Sequence, residues 1–368
     1  MNPHFPEIKK NFGFGCMRLP MKNVGEGVRE VDYELFSQMI DEFMEAGFNY
    51  FDTAHGYIDG KSEIAVRKCL TSRYPREAYV LANKLSPNCF NSEEEIIPFF
   101  EEQLKICGVE YFDFYLMHTQ NRDLFEKYKR CRAYETAIQL REEGRIKHLA
   151  ISFHDTADIL DNILTAYPEI EAVQIQFNYY DFEDDKVQAR LCYEVCRKHN
   201  KPIIVMEPVR GGALADLPDG AASIFAELGD SSSASYAIRY AAGFDGIFMV
   251  LSGMGSMEMM SDNVSYMKDF QPLSDNEMQA VAKVTHILKN QALIPCTSCR
   301  YCTEVCPQNV AIPEIFGFIN DKRRMKNRSY TRVIEKSGAH PASECISCGA
   351  CEASCPQHIE IRDLLGYA

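Results

Sequence analysis

Through roughly the first 290 residues, short runs of apolar, β-branched and aromatic residues alternate with longer stretches whose apolar positions return every third or fourth residue. The short runs are FGFGCMRL, FNYFDT, AYVLANKL, FDFYLMH, IKHLAIS, AVQIQF, PIIVME and GIFMVLS. Near-continuous apolar character of this kind predicts strands buried on both faces. Each is followed by a stretch of helical period: YELFSQMIDEFMEAG, EIAVRKCLTSR, EEEIIPFFEEQLKICG, a long one ending IQLREEGR, DTADILDNILTAY, DKVQARLCYEVCRKH, SIFAELGDSSSASYAIRYAAG and SMEMMSDNVSYMKD. Strands separated by about 10 to 15 helical residues pair in parallel through right-handed crossovers, and eight such units close into a (β/α)8 barrel. An open doubly wound sheet is the competing arrangement, but no GxGxxG follows the first strand.

After residue 290 the pattern changes. Residues 296 to 307 read CTSCRYCTEVCP and residues 345 to 356 read CISCGACEASCP, both fitting C-x2-C-x2-C-x3-C-P. With 15 cysteines in 368 residues, three matches at fixed offsets arise by chance roughly once in ten thousand starts, and here the run occurs twice. Three thiolates spaced by two residues wrap one 4Fe-4S cluster, while the fourth, before proline, ligates the other cluster in two-cluster ferredoxins. That crossed reading pairs Cys296, Cys299 and Cys302 with Cys355, and Cys345, Cys348 and Cys351 with Cys306. Zinc ribbons use pairs of CxxC rather than two runs of four. A radical S-adenosylmethionine run, CxxxCxxC, is missing, because His199 follows Cys192 and Cys196 where the third cysteine belongs. Cys192, Cys196, Cys16, Cys69, Cys89, Cys107 and Cys131 read as packed core thiols. Between the two runs, IPEIFGFINDKRRM has helical spacing, so the C-terminal unit resembles the α-helical ferredoxin type. The expected organisation is a barrel over residues 1–290 and a small, mainly helical cluster-binding unit over 291–368.

The charge balance of 39 Lys+Arg against 53 Asp+Glu gives a net charge of −14. Such a surface repels phosphate backbones and anionic lipid heads, so neither nucleic acid nor membrane is an expected partner. The start, MNPHFPEIKK, has no apolar core of a signal peptide, and no run of 18 apolar residues occurs. The expected location is the cytoplasm, where thiols stay reduced and bind metal rather than form disulfides.

In a (β/α)8 barrel, polar residues at the C-terminal ends of the strands build the active site. Asp52 ends the second strand, Tyr57 follows it, Lys84 ends the third and His118 the fourth. Each alone has an ordinary structural reading as cap, core or surface. Together they suit carbonyl reduction: a lysine held by an aspartate lowers the pKa of a phenol, ordinarily about 10, and lets it exchange a proton. The histidine then orients the carbonyl oxygen.

At this point the chain resembles the aldo-keto reductase superfamily, in FDTAHGY at 51 to 57, NKL at 83 to 85, YLMH at 115 to 118, AIS at 150 to 152, VQIQFN at 173 to 178 and EPVRGGAL at 207 to 214. The resemblance covers roughly residues 10 to 290 and, with the cysteine runs, falls in the iron-sulfur-bearing branch. It implies that Asp52, Tyr57, Lys84 and His118 act as the family tetrad with Tyr57 as general acid and base. It further implies cofactor contacts at Ser152, Gln174, Met206, Gly253 and Asn263. The chain departs from the pattern in having Phe153 where the family places an asparagine and Met206 where it stacks a tyrosine on the nicotinamide. After the eighth strand, SGMGSMEMMSDN offers no cation to a 2'-phosphate, so NAD(H) is favoured over NADP(H).

Hydride transfer moves two electrons together whereas each cluster takes one, so nicotinamide and clusters need an intermediary such as a flavin. Three arrangements are open. The clusters carry electrons between a redox partner protein and the barrel, or they are structural in an ordinary NAD(H)-dependent reductase, or the barrel is a degenerate dock for an electron carrier. The reading favoured here is an oxidoreductase for a small carbonyl or alcohol substrate, with clusters for electron transfer. Pocket walls come from loops; Pro20 to Glu30 shows no interpretable motif, and Thr119 and Gln120 are unranked as substrate contacts.

Overall fold

The computed structural model describes residues 4–25, 28–291, 293–323 and 329–367. The strands are β1 Phe12–Gly15, β2 Met21–Gly25, β3 Val28–Val31, β4 Tyr50–Asp52, β5 Val80–Leu85, β6 Phe112–Gln120, β7 Ile146–Phe153, β8 Ala172–Gln176, β9 Ile203–Met206 and β10 Ile247–Ser252. Among the described residues, β1 and β4 to β10 close into a parallel barrel in sequence order, with β10 returning to β1. These eight are the apolar runs of the sequence. Tyr50, Val80, Ala82, Phe114, Leu116, Ala150, Ala172, Ile204, Met249 and Leu251 fill the interior, and Phe5 and Ile8 from the N-terminal segment join the same cluster. Gly13 on β1 leaves room for this filling, because a Cβ there would stand 2.7 Å from the Leu251 side chain and 2.9 Å from those of Met249 and Tyr50.

Amphipathic helices cover the outside. Residues 33–45, for example, bury Phe36, Met39, Ile40 and Phe43 at helical spacing and start from the Asp32 side chain, which accepts from the Leu35 N–H. The last barrel helix, Asp275–Lys289, opens with a Ser274 and Glu277 capping box.

Two segments expected as single helices are each divided. The stretch ending IQLREEGR forms Arg122–Arg130 and Ala133–Glu142, broken at Arg132, whose φ is 52°. SIFAELGDSSSASYAIRYAAG lies in helices at Asp219–Ala226 and Ser233–Ala242, with Gly229 at φ 141° between them. In neither case does the apolar period signal the break, because both halves bury residues against the same barrel. The 20–30 loop holds the β2–β3 ribbon, whose four pairs are antiparallel. Its largely exposed positions gave no alternation to read, and Glu26 and Gly27 of that loop lie outside the described residues.

Beyond the barrel, short helices at 301–304, 312–323, 330–337, 350–353 and 361–365 pack around Ile294, Val310, Ile312, Ile315, Phe316, Ile359 and Ile361. The helix expected from IPEIFGFINDKRRM occupies Ile312–Arg323; its Arg324 and Met325 lie outside the described residues. This apolar cluster is separate from the main one, whose last buried member is Leu288.

Candidate active site and cysteine runs

The strand ends bring the four rim residues together. Lys84, with 0 % exposure, donates to Asp52 Oδ1 at 2.6 Å and to the Thr53 carbonyl at 2.8 Å. Its ammonium stands 5.0 Å from the centroid of the Tyr57 ring, and the Tyr57 ring meets His118 edge-on at 6.1 Å. Burial holds the Asp52 carboxyl above and the Lys84 ammonium below their ordinary values, with each partner opposing the shift. Burial likewise raises the Tyr57 phenol well above 10, reinforced by Tyr301, Asp52 and Cys16. The expectation that Lys84 lowers this phenol is therefore overridden by burial here, and Tyr57 is held protonated. His118 is pushed well below 6.5 by burial and by the Lys84 and His154 charges. Its Nδ1 lies 3.0 Å from Ser86 Oγ. With Ser86 donating, neutral His118 keeps an N–H on Nε2 for a carbonyl oxygen. Beneath the rim, buried Glu63 accepts from Asn83 at 2.8 Å and Gln103 at 3.0 Å.

The positions matched to a nicotinamide cradle are less well suited to it. Ser152 Oγ accepts from the Thr119 N–H at 2.8 Å, and Gln174 Nε2 is turned to Asp52 Oδ2 at 3.4 Å. Met206 ends β9 without offering a ring. Asn263 is 5 % exposed and donates to Ser252 Oγ at 2.8 Å, which ties its helix to the end of β10. Gly253 is covered by Arg18, whose Cβ would be 3.2 Å from a Cβ at that position.

The two cysteine runs fold alike. Ser298 and Ser347 have φ of 55° and 57°, and their N–H groups donate to Cys296 Sγ and Cys345 Sγ, each at 3.4 Å. Arg300 and Gly349 follow in the left-handed region, then a one-turn helix carrying Cys302 or Cys351. Cys306, Cys345, Cys348 and Cys351 line one small cavity with Pro307, Val310, Ile312 and Leu365. After burial, the Cys302 thiol is raised by Cys299, Cys296, Cys355 and Cys351, and the Cys296 thiol by Cys355. Thus Cys355 comes to the first run and Cys306 to the second. Among the described residues no three His, Cys, Asp or Glu groups are close enough to hold a single ion. Four thiolates around a cubane stand farther apart than four around one ion, so the donor set fits two 4Fe-4S clusters, with N–H groups aimed at the sulfurs.

Several residues at this site carry no signal in the barrel pattern. Tyr301, between Cys299 and Cys302, meets His118 edge-on at 6.3 Å and His154 at 6.2 Å, and it stands near enough to Tyr57 to help raise that phenol. Buried Arg210 after β9 donates to Asp181 at 3.0 Å, to the Pro295 carbonyl at 3.2 Å and to Gln357 Oε1 at 3.1 Å. Glu207 has φ 58°, and its Oε2 is buried without a partner. A cavity of about 1240 Å³ opens where the two parts meet, lined by Tyr57, Arg18 and Asp59 from the barrel and Cys299, Glu304 and Arg332 from the other side. In the sequence, Glu207 and Arg210 stood inside EPVRGGAL with no role assigned to either, and Tyr301 stood inside CTSCRYC.

No helix among the described residues is long and apolar enough to cross a membrane. The sequence profile of the 4Fe-4S dicluster domain matches residues 295–360, and that of the Aldo/keto reductase family matches residues 11–286. The NADH-specific methylglyoxal reductase of Escherichia coli (strain K12) is 24% identical over 202 residues, half of this chain, and the match spans 60% of that protein's length. Among solved structures, an aldo-keto reductase from Bacillus halodurans in its holo form aligns with a TM-score of 0.59 at 24% identity, covering 75% of this chain and 92% of that one. One from Klebsiella pneumoniae in complex with NADPH has the same TM-score at 18% identity, covering 76% and 95%. The chain carries a 4Fe-4S dicluster domain after its barrel and belongs to the aldo/keto reductase family.

Proposed function

We propose that the chain is an oxidoreductase that interconverts a small carbonyl compound and its alcohol at Tyr57, with electrons reaching the barrel through two 4Fe-4S clusters. The observation that carries this reading is the buried Lys84 and Asp52 pair beside a protonated Tyr57 and a neutral His118. Reducing a carbonyl adds two electrons and two protons. Tyr57 gives one proton to the oxygen as negative charge develops there and water supplies the proton taken up by the carbon, while His118 Nε2 hydrogen-bonds the oxygen and the Lys84 ammonium lowers the cost of the phenolate left behind. Cys296, Cys299, Cys302 and Cys355 would hold one cluster and Cys306, Cys345, Cys348 and Cys351 the other. When bound, the clusters supply electrons one at a time, drawn from a one-electron carrier protein. We place the boundary between the two units near residue 290, and the protein in the cytoplasm.

A second reading, an NAD(H)-dependent reductase with structural clusters, draws on the named cofactors of the Escherichia coli and Klebsiella pneumoniae proteins. One experiment separates the two. The anaerobic, cluster-loaded chain is reduced with dithionite and mixed with small aldehydes and ketones. Reoxidation of the cluster absorbance with alcohol formation supports the first reading, and its loss by roughly 10²- to 10⁴-fold in Tyr57→Phe supports the assigned acid. Alcohol formed only when NADH is added supports the second, and undiminished turnover in Tyr57→Phe would sink the role given to Tyr57.

A further inference from the structure

Barrel enzymes commonly bind the phosphates of a ligand with the loops after the seventh and eighth strands, here the segments following β9 and β10. The loop after β9 is already covered. Gly211 lies at φ 65°, and a Cβ on it would stand 2.1 Å from the Thr297 carbonyl oxygen and 2.9 Å from the Thr297 Cα. Only glycine admits the Thr297 backbone so close. Thr297 itself is 3 % exposed.

Two cations at this mouth are committed as well. Arg210 is 6 % exposed, paired with Asp181, and its Nη2 donates to the Pro295 carbonyl and to Gln357. Arg18, after β1 and against Gly253, donates to the Thr297 carbonyl at 3.1 Å. Pro295 precedes Cys296 and Gln357 follows Cys355, so Arg210 grips both ends of the first cysteine group. A pyrophosphate would need donors of this kind, and two backbone carbonyls take them. Further along the same segment, Tyr301 reaches Tyr57, His118 and His154.

We propose that the segment Pro295–Tyr301 occupies the trough that a dinucleotide would need across the barrel mouth, so that Tyr57 works beneath the first cysteine run. This goes beyond the proposed function and stands on different residues. The altered cradle at Phe153 and Met206 and the cation-free stretch after β10 agree with it, since a surface that no longer meets a dinucleotide keeps no reason to hold its amide or phosphates.

The test uses the full, cluster-loaded chain under anaerobic conditions. NADH and NADPH are titrated in while nicotinamide fluorescence and backbone hydrogen exchange over 207–214 and 252–263 are followed. The expected result is no saturable binding up to about 1 mM and unchanged exchange; saturable binding of either dinucleotide overturns the proposal. In a second measurement, Gly211→Ala forces a methyl into the Thr297 carbonyl. Exchange over 296–301 is expected to rise at least tenfold, while β5 and β6 keep their protection. Arg18→Gln, which removes one hydrogen bond without backbone strain, should give a severalfold rise in the same segment. Unchanged exchange there in both variants overturns the packing. None of these readings depends on Tyr57, so a failure of the proposed catalysis would show separately in Tyr57→Phe.

Discussion

The ring of Tyr301 stands edge-on to the ring of His118, with centroids 6.3 Å apart. Tyr301 is set by the spacing of the first cysteine run and His118 by the end of β6, so the contact joins the cysteine region to the proton-transfer end of the barrel. It makes the roof of the candidate active site a product of both parts of the chain.

The Lys84 and Asp52 pair should matter to stability as well as chemistry. Lys84→Met leaves Asp52 in a buried position without its cation, and removing one partner of such a pair costs about 3–5 kcal/mol. The Asp52→Asn, Lys84→Met double variant removes both charges and should recover part of that loss. Urea unfolding followed by circular dichroism would show it, and a double variant less stable than the single one would contradict the pairing.

His118 is held neutral by burial first and by nearby charge second. Turnover should therefore show no limb near pH 6.5 that belongs to this imidazole. His118→Gln keeps a donor for the carbonyl oxygen and should retain more activity than His118→Ala, by about tenfold for one hydrogen bond of roughly 1.5 kcal/mol. Equal activities in the two variants would remove the orienting role.

Opposite pH trends are expected from two histidines. Burial opposes charge on His148, but the hydrogen bonds its ring donates to Glu171 and Glu7 prevail and raise its pKa to about 9. Its contribution is complete below the unfolded value of about 6.5 and is lost as pH rises through 9, at most about 3 kcal/mol. His154 is lowered to about 4 by burial and then by His358. A native pKa below the unfolded one means that stability falls as pH drops from about 6.5 toward 4. Thermal midpoints from pH 5 to 10 should thus pass through a maximum near neutrality, and His148→Gln should flatten the alkaline side alone.

Replacing one cysteine from each group should separate the two cluster sites. Cys299→Ser and Cys348→Ser are each expected to lower iron from about eight to about four atoms per chain. Cys299 belongs to the segment packed on the barrel mouth, whereas Cys348 is exposed and lines the distant cavity. Carbonyl-dependent reoxidation should stop in both variants if electrons pass through the two clusters in series. Hydrogen exchange over 207–214 should rise only in Cys299→Ser, and a rise confined to Cys348→Ser would reverse the assignment of which group faces the barrel.

Read alone, the chain already determined the eight barrel strands and the residues at their ends. A strand buried on both faces must be apolar throughout, so a polar residue at its C-terminal end stands out, as Asp52, Lys84 and His118 do. The cysteine spacing likewise determined the cluster type, because ligand geometry is local to each run. The breaks at Arg132 and Gly229 were hidden, since two helices burying one continuous face share one apolar period. The crossing of Cys355 to the first group and Cys306 to the second stood in the sequence only as an analogy, and the fold brings those thiols together. Tertiary structure alone decided the raised phenol of Tyr57, because burial is a property of what surrounds a side chain. It also decided the seam of Arg18, Arg210, Gly211 and Thr297. These residues lie as far as 279 positions apart, and no periodicity records a contact made by one backbone pressed against another.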